Sequence, residues 1–416
     1  MAGRSRPSAW SATRRRGPWA AAALAIGGCV LAGCSSAAAP AAAPSSSPSA
    51  ATAPLATSLT GADGRAWAIV VMGGSAADEN NFWQLFTRPA GSAQWTLVTP
   101  PGVADNGGLV AAPAAGQGLD VAFRPSQGLT FSPLALTGDG GKTWGTGLVD
   151  ASVAAVPDAL ALGDGKMLAL LGDGGIDQAA AAGQAAASAA TWTRLASPGA
   201  IAASAAGRAC QVTGLTAVSL TESGTPLAAA SCARPGVAGI FVRDGASWRS
   251  AGLTVGGGLA SQPVQVLRLT QYAAGTANLK IAARPAAGNM ALLQAGTGQA
   301  ASLLAAWTTD GANWTMSSPL PATGGQVLAS GAGPGATGAW VLLAGGHAEA
   351  VTGPGAAWRA LPAPPHGTAV LAAGPAGTLD ALAPSGGTLT AYQLTSSGAW
   401  QRTQVISVPL QLGSSS

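Results

Sequence analysis

Seven tryptophans follow short turn-like segments at intervals of 42 to 66 residues, and this spacing limits the possible folds more than any other feature of the sequence. They are Trp95, Trp144, Trp192, Trp248, Trp314, Trp358 and Trp400. The preceding residues are mostly Gly, Ser, Ala and Asp, which suit tight turns. Repeats of this length with several short strands are typical of propeller blades. The sequence therefore predicts an all-β fold, a seven-bladed β-propeller of four-stranded antiparallel blades.

The most complete of these turns is Thr137–Trp144, which reads Thr-Gly-Asp-Gly-Gly-Lys-Thr-Trp. The carboxylate of Asp139 is placed to accept hydrogen bonds from backbone N–H groups two or three residues further along. The glycines tolerate the positive φ angles that a short hairpin turn requires. We expect Trp144 to open the next strand and to lay its indole under the hairpin.

This octet resembles the Asp-box, or BNR repeat, of sialidase-type β-propellers. The matching positions are Thr137, Asp139, Gly141, Thr143 and Trp144. Two shorter segments, Asp244–Trp248 and Asp310–Trp314, keep the Asp, a Gly and the Trp but have one residue fewer between Asp and Trp. In the sialidases the Asp-boxes lie on the periphery, so the resemblance implies a fold and assigns these residues a structural role.

Residues 1–33 are predicted to be a signal peptide. Five arginines precede the apolar run Trp19–Leu31, which is too short for a permanent membrane span. The run ends in Leu31-Ala32-Gly33-Cys34, which resembles the bacterial lipobox and implies cleavage before Cys34 and lipid attachment to its sulfur. The alternative is an ordinary signal peptide followed by a chance cysteine. The expected location is the outer face of the bacterial cytoplasmic membrane, reached by either the Sec or the twin-arginine route.

Removal of residues 1–33 takes away five arginines and changes the formal net charge from +4 to −1. The mature chain therefore has no excess positive charge with which to attract nucleic acid. Residues 34–56 are rich in Ala, Pro and Ser and contain no charge, which predicts a disordered tether. Residues 57–412 are predicted to form the propeller.

Cys210 and Cys232 are the two cysteines left in the predicted mature domain. They flank a predicted hairpin turn near Glu222–Pro226, and antiparallel pairing around that turn would bring them opposite each other. In an exported protein this arrangement predicts a disulfide. A redox pair or a metal site is the alternative. No cofactor or metal is expected.

An enzyme of the sialidase type requires an arginine triad, a tyrosine nucleophile paired with a glutamate, and an aspartate acid/base. Neither Tyr272 nor Tyr392 can be matched to a glutamate, so we assign no catalytic residue. The arginines that would have to converge are drawn from Arg65, Arg88, Arg124, Arg234, Arg268 and Arg284.

Other polar clusters are weaker candidates. His347 and Glu349 lack a third metal ligand, and the polar segment Asp78–Asn81 reads as a loop where a ligand could bind. The sequence thus predicts a lipid-anchored, non-catalytic binding or scaffold protein whose partner is an envelope protein or glycan. The alternative is a sialidase-type exo-glycosidase.

Overall fold

The computed structural model describes residues 57–409, apart from 62, 74–80, 102–106, 125–129, 181–190, 273–287, 324, 333–337 and 375–376. The predicted signal peptide, Cys34 and the tether lie outside the described residues, as do Asp78, Arg284 and positions 410–412. Nearly every described element is a β-strand.

The strands fall in chain order into antiparallel groups, which we number 1 to 7. Group 1 holds β1 (Thr57–Thr60), β2 (Ala66–Gly73), β3 (Asn81–Arg88) and β4 (Thr96–Leu97). Group 2 holds β5 (Leu109–Pro113), β6 (Leu119–Phe123), β7 (Ser132–Thr137) and β8 (Gly145–Val149). Group 3 holds β9 (Leu160–Gly163), β10 (Lys166–Leu170), β11 (Ile176–Ala180) and β12 (Thr193–Ala196). Group 4 holds β13 (Val212–Leu220), β14 (Pro226–Cys232), β15 (Gly239–Asp244) and β16 (Ser247–Ser250).

The remaining groups repeat this order. Group 5 holds β17 (Val264–Tyr272), β18 (Gly288–Ala295) and β19 (Ser302–Thr308), with β20 (Thr315–Met316) and β21 (Leu320–Pro321) both paired to β19. Group 6 holds β22 (Val327–Ala332), β23 (Ala339–Leu343), β24 (Ala348–Val351) and β25 (Arg359–Ala360). Group 7 holds β26 (Val370–Ala373), β27 (Leu379–Ser385), β28 (Thr388–Leu394) and β29 (Trp400–Ser407). Two short helices, α1 (Ala200–Ala203) and α2 (Ala205–Cys210), connect groups 3 and 4.

The second strand of each group is mostly apolar because both of its faces are covered. In β6 every residue is buried; Leu119, Val121 and Phe123 belong to the core shared with group 1, whereas Ala122 belongs to the core shared with group 3. A strand covered on both faces reads as a mostly apolar run, and β6 fits this pattern apart from the buried Asp120. In group 5 this strand is β18.

The first and last groups are joined by buried polar contacts. Arg88 at the end of β3 forms an ion pair with Asp380 of β27 at 3.0 Å, and the Nε1–H of Trp95 donates to the same carboxylate at 2.9 Å. The side chain of Gln404 in β29 accepts from the backbone N–H of Trp95 and donates to its carbonyl, at 2.8 and 3.0 Å. These contacts connect the two ends of the propeller chain.

The first strands of groups 1, 5 and 6 meet at one buried arginine. Arg268 in β17 donates from Nε and Nη2 to the two carboxylate oxygens of Asp158, both at 2.7 Å. Its Nη1 donates to the carbonyl of Ser330 in β22 at 2.8 Å and to the hydroxyl of Thr57. β1 also pairs in parallel with β22 through Thr57 and Ser58. Residues of groups 1, 5 and 6 and the segment before β9 are therefore fixed to one another.

The strand order and the antiparallel four-stranded sheets confirm the predicted all-β class and the β-propeller architecture. Within the described part of the chain, no helix has the length and apolar character needed to cross a membrane.

Replacing Arg268 by Met removes one member of a buried ion pair and leaves the Asp158 carboxylate without its counter-charge. We expect the free energy of unfolding to fall by about 3–5 kcal/mol, measured by chemical denaturation. Arg249→Met, at an exposed position on β16, is the matched control and should change little. Equal denaturation midpoints for the two variants would contradict a stabilising role for Arg268.

Candidate functional site

The turn of the complete octet, Thr137–Trp144, is organised by one carboxylate. Oδ1 of Asp139 accepts the backbone N–H groups of Lys142 and Thr143, each at 3.0 Å, and Oδ2 accepts the Thr143 hydroxyl at 2.6 Å. The Thr137 hydroxyl donates to Asp139 at 2.8 Å and accepts the N–H of Gly141 at 2.9 Å. These donors, the Thr143 hydroxyl first, hold the pKa of Asp139 well below its usual range.

The shorter segment around Asp310 forms the same arrangement. Oδ1 of Asp310 accepts the N–H groups of Ala312 and Asn313 at 2.8 Å, and the Asn313 side chain donates to Oδ2 at 2.6 Å. The Thr308 hydroxyl donates to Asp310 at 2.9 Å, as Thr137 does to Asp139. The backbone N–H of Asn313 is the main cause of a pKa well below the usual range for Asp310. The side chain of Asn313 replaces the Thr143 hydroxyl, which compensates for the missing residue.

Asp244 differs from the other two, although its sequence segment looked similar. It pairs with Ser247 across a two-residue turn, Gly245-Ala246, and its backbone carbonyl accepts the Ser247 hydroxyl at 3.0 Å. Among the described residues its carboxylate accepts none of the turn N–H groups. Val242 stands two residues before Asp244, where Thr137 and Thr308 stand in the other turns. A threonine two residues before the Asp therefore distinguishes the turns organised by the Asp carboxylate from the turn at Asp244.

Two glycines in the Thr137–Trp144 turn lie in close contact with residues of group 1. A Cβ atom on Gly140 would lie 2.7 Å from Cζ of Arg65, and a Cβ atom on Gly141 would lie 2.8 Å from Cβ of Val98. Both glycines also have positive φ angles, +77° and +87°. Nη2 of Arg65 donates to Oε1 of Gln117, between β5 and β6 of group 2, at 2.9 Å. The turn is therefore a packing element between groups 1 and 2.

The seven turn tryptophans all lie at boundaries between groups. Each belongs to, or packs against, a core cluster built from neighbouring groups. Four indole N–H groups donate to the preceding group: Trp95 to Asp380, Trp192 to the Leu148 carbonyl, Trp358 to the Ser317 hydroxyl and Trp400 to the Pro362 carbonyl. The Nε1 atoms of Trp248 and Trp314 are buried without a partner. The repeated tryptophans thus pack at the boundaries between groups.

Cys210 and Cys232 form a disulfide, as predicted, with Cα atoms 5.3 Å apart. Val212 pairs with Cys232 across β13 and β14, which is the antiparallel register expected around the turn at residues 221–225. Both cysteines are buried. The bond ties the end of α2 to the end of β14. The sequence did not predict the helices, whose second member is capped by the Ser204 hydroxyl accepting from Gly207.

The arginines considered for a sialidase-type site are held in separate contacts. Arg65, Arg88 and Arg268 are buried in the contacts described above. Arg124 donates to the Gly107 carbonyl at 3.0 Å and Arg234 to the Ala209 carbonyl at 3.2 Å. The Tyr272 hydroxyl donates to the Thr308 carbonyl at 3.4 Å, and burial raises the pKa of this tyrosine. Among the described residues no arginines converge on a tyrosine.

The remaining candidates also stay apart. His347 is exposed, and burial raises the pKa of Glu349 while the nearby histidine lowers it. Within the described ranges, no three His, Cys, Asp or Glu side chains come close enough to hold a metal ion. A cavity is lined by Asp158, Ser219, Thr270 and Gln271 together with apolar residues of β1, β5, β9, β13 and β17. The Asp158 carboxylate there is already bonded to Arg268.

No protein-family model matches the sequence, and no curated protein matches it. The fold is similar to that of a GH74 xyloglucanase from Xanthomonas campestris, at 16% identity and a TM-score of 0.52, over 86% of this chain. The chain spans about half the length of that enzyme, 55%. This likeness shows the fold alone.

Two further structures match with lower scores. YCF48 from Cyanidioschyzon merolae matches at 12% identity and a TM-score of 0.42, covering 82% of this chain and 93% of that one. A lectin from Aleuria aurantia matches at 11% identity and a TM-score of 0.39, covering 86% and 98%. Neither score is high enough to support an argument about function.

Replacing Gly141 by Ala puts a Cβ atom against Val98 and forces an L-residue to a φ of +87°. We expect a loss of about 1–3 kcal/mol in the free energy of unfolding. Gly138→Ala in the same turn is the control, because a Cβ there meets nothing within 4 Å. Similar denaturation midpoints for both variants would show that the turn does not need its close contact with group 1.

Replacing both Cys210 and Cys232 by Ser should lower the free energy of unfolding by about 3 kcal/mol, since the disulfide closes a loop with a sequence separation of 22. Denaturation with and without a reducing agent measures this effect. The reducing agent should shift the wild-type midpoint and leave the double variant unchanged. A wild-type midpoint that does not respond to full reduction would contradict the prediction.

Proposed function

We propose that this chain is an exported, lipid-anchored β-propeller that acts as a binding or scaffold protein at the outer face of the bacterial cytoplasmic membrane. The observation that carries the proposal is the segment Leu31-Ala32-Gly33-Cys34 after a basic region and a short apolar run. Its resemblance to a lipobox supports cleavage before Cys34 and lipidation of that residue. The basic region and the apolar run support export.

The ring in this proposal has seven blades, one for each strand group. The contacts of Arg88, Trp95 and Gln404 with group 7 support closure between the first and last blades. We also propose that Thr137–Trp144 and Asp310–Trp314 are Asp-boxes of the BNR type. The hydrogen bonds of Asp139 and Asp310 support this assignment, and the contact of Gly141 with Val98 supports a structural role for the first box.

The tether sets which molecules the propeller can reach. Residues 34–56 would span about 70 Å if fully extended in the polyproline conformation, at about 3.1 Å per residue. The partners within that distance of the membrane surface are envelope proteins and envelope glycans, and we propose one of these as the ligand. Binding without catalysis is favoured because the described candidate arginines and Tyr272 are already engaged in contacts inside the fold.

Labelling with an alkyne-bearing fatty acid in a bacterial host tests the anchor. The full-length protein should incorporate the label and enter the detergent phase. Cys34→Ser should abolish labelling, whereas Cys29→Ser, a change inside the apolar run, should retain it. Labelling of the Cys34→Ser variant would overturn the assignment of the anchor.

The binding function is tested separately from the anchor. The full-length protein is crosslinked on intact cells and is screened in detergent against purified envelope glycans, with the Arg268→Met variant as a control for a disturbed ring. Specific capture of one envelope protein or glycan is the expected result. Turnover of a sialoside substrate would instead support the alternative of a sialidase-type exo-glycosidase.

A further inference from the structure

Asp120 and Asp380 occupy the same place in groups 2 and 7. Each is the second residue of the second strand, each follows a leucine, and each pairs across the sheet with an alanine of the first strand, Ala112 or Ala372. Both are almost fully buried, with 3% and 4% of their surfaces exposed. Their surroundings across the group boundary are different.

Asp380 has a cation and a neutral donor from the next group in the ring. Arg88 and the indole N–H of Trp95 both contact its carboxylate. Burial raises the pKa of Asp380 to about 6, and the contacts with Arg88 and Trp95 oppose the rise. The carboxylate is therefore matched by groups that favour its charged form.

Asp120 has no such partners. Its Oδ2 is buried without a hydrogen bond, and its neighbours across the sheet are Ala112 and Leu136. Trp192, the counterpart of Trp95, donates to the Leu148 carbonyl instead. Burial alone raises the pKa of Asp120 to about 7.

The charged groups on the elements around Asp120 are engaged elsewhere. β5, β7 and β9 carry none. Lys166 of β10 donates to the Gly224 carbonyl, Asp177 of β11 pairs with Arg194 of β12, and Asp158 pairs with Arg268. The segment from 178 to 193 contains no Lys or Arg in its sequence. Within the described contacts, Asp120 thus has no counter-charge.

The same strand position is uncharged in the other five groups: it is Asn289 in group 5 and an apolar residue in groups 1, 3, 4 and 6. Trp67, Met167, Leu227 and Trp340 are the second residues of β2, β10, β14 and β23, and all are buried. The position therefore accommodates an uncharged side chain. A protonated Asp120 satisfies that requirement and an ionised one does not.

We propose that Asp120 is a proton-binding site that makes the boundary between groups 2 and 3 sensitive to pH, closed when the carboxyl is neutral and loosened when it ionises. The inference does not depend on the lipid anchor or on the ligand of the propeller. Because the folded-state pKa lies above the unfolded value of about 3.9, the stabilisation is complete below about pH 4. It is lost as the pH rises through about 7.

The test compares Asp120→Asn and Asp120→Leu with the wild-type full chain by chemical denaturation at pH 5 and pH 8. From pH 5 to pH 8, the wild-type unfolding constant should rise about 100-fold more than that of either variant. At pH 8 at least one variant should have the higher denaturation midpoint. Hydrogen exchange of peptides from β5 to β12, corrected for intrinsic rates, should show a pH-dependent loss of protection in the wild type only.

Asp380→Asn is the matched control. It leaves Arg88 without its counter-charge and should lower the midpoint at both pH values. The proposal is overturned if both Asp120 variants are less stable than the wild type at pH 8. It is also overturned if the difference between wild type and Asp120→Asn is the same at pH 5 and pH 8.

Discussion

A ring of sheets is stable only if its first and last members hold together, and here a buried ion pair supplies that connection. Arg88 and Trp95 of group 1 contact the Asp380 carboxylate of group 7, and the side chain of Gln404 binds the backbone of Trp95. A buried charge without its partner strongly destabilises the fold. Removing either Arg88 or Asp380 would therefore leave the other with an uncompensated buried charge. At a second point, buried Arg268 connects groups 1, 5 and 6 with Asp158. Polar contacts at these two points hold together groups that are distant in the chain.

The boundaries between groups depend on apolar packing and on the indole rings. A four-stranded sheet with two apolar faces cannot bury both faces alone, so each group requires a neighbour on either side. The repeated tryptophan extends the buried surface of its own group, and in four cases it also donates a hydrogen bond to the preceding one. The turn before Trp144 contributes through Gly140 and Gly141, which allow close contact with Arg65 and Val98. The repeated tryptophans in the sequence therefore correspond to a packing arrangement that recurs at the boundaries between groups.

The residues that looked most chemically active serve this architecture. The low-pKa carboxylates of Asp139 and Asp310 hold turns, and most of the buried arginines hold strand groups together. Asp120 is the exception, because its carboxyl is buried at a boundary without a cation. These observations direct the search for function to surfaces and partners.

The sequence alone determined the features that arise from local chemistry. The spacing of the tryptophans predicted the propeller, and the hydrogen bonds of Asp139 follow from residues within four positions of it. The disulfide was also predictable, because Cys210 and Cys232 flank one hairpin turn. The segment at Asp244 keeps the Asp, a Gly and the Trp, but it has Val242 in the place of the threonine and forms a different turn.

Only the tertiary structure decided the contacts between residues that are distant in the chain. Arg268 and Asp158 are separated by 110 positions, and Trp95 and Asp380 by 285. Local patterns carry no information on such pairs, because the closed ring, and not the intervening sequence, brings them together. For the same reason the equivalent residues Asp120 and Asp380 look alike in sequence, yet only the neighbouring group determines which of them receives a counter-charge.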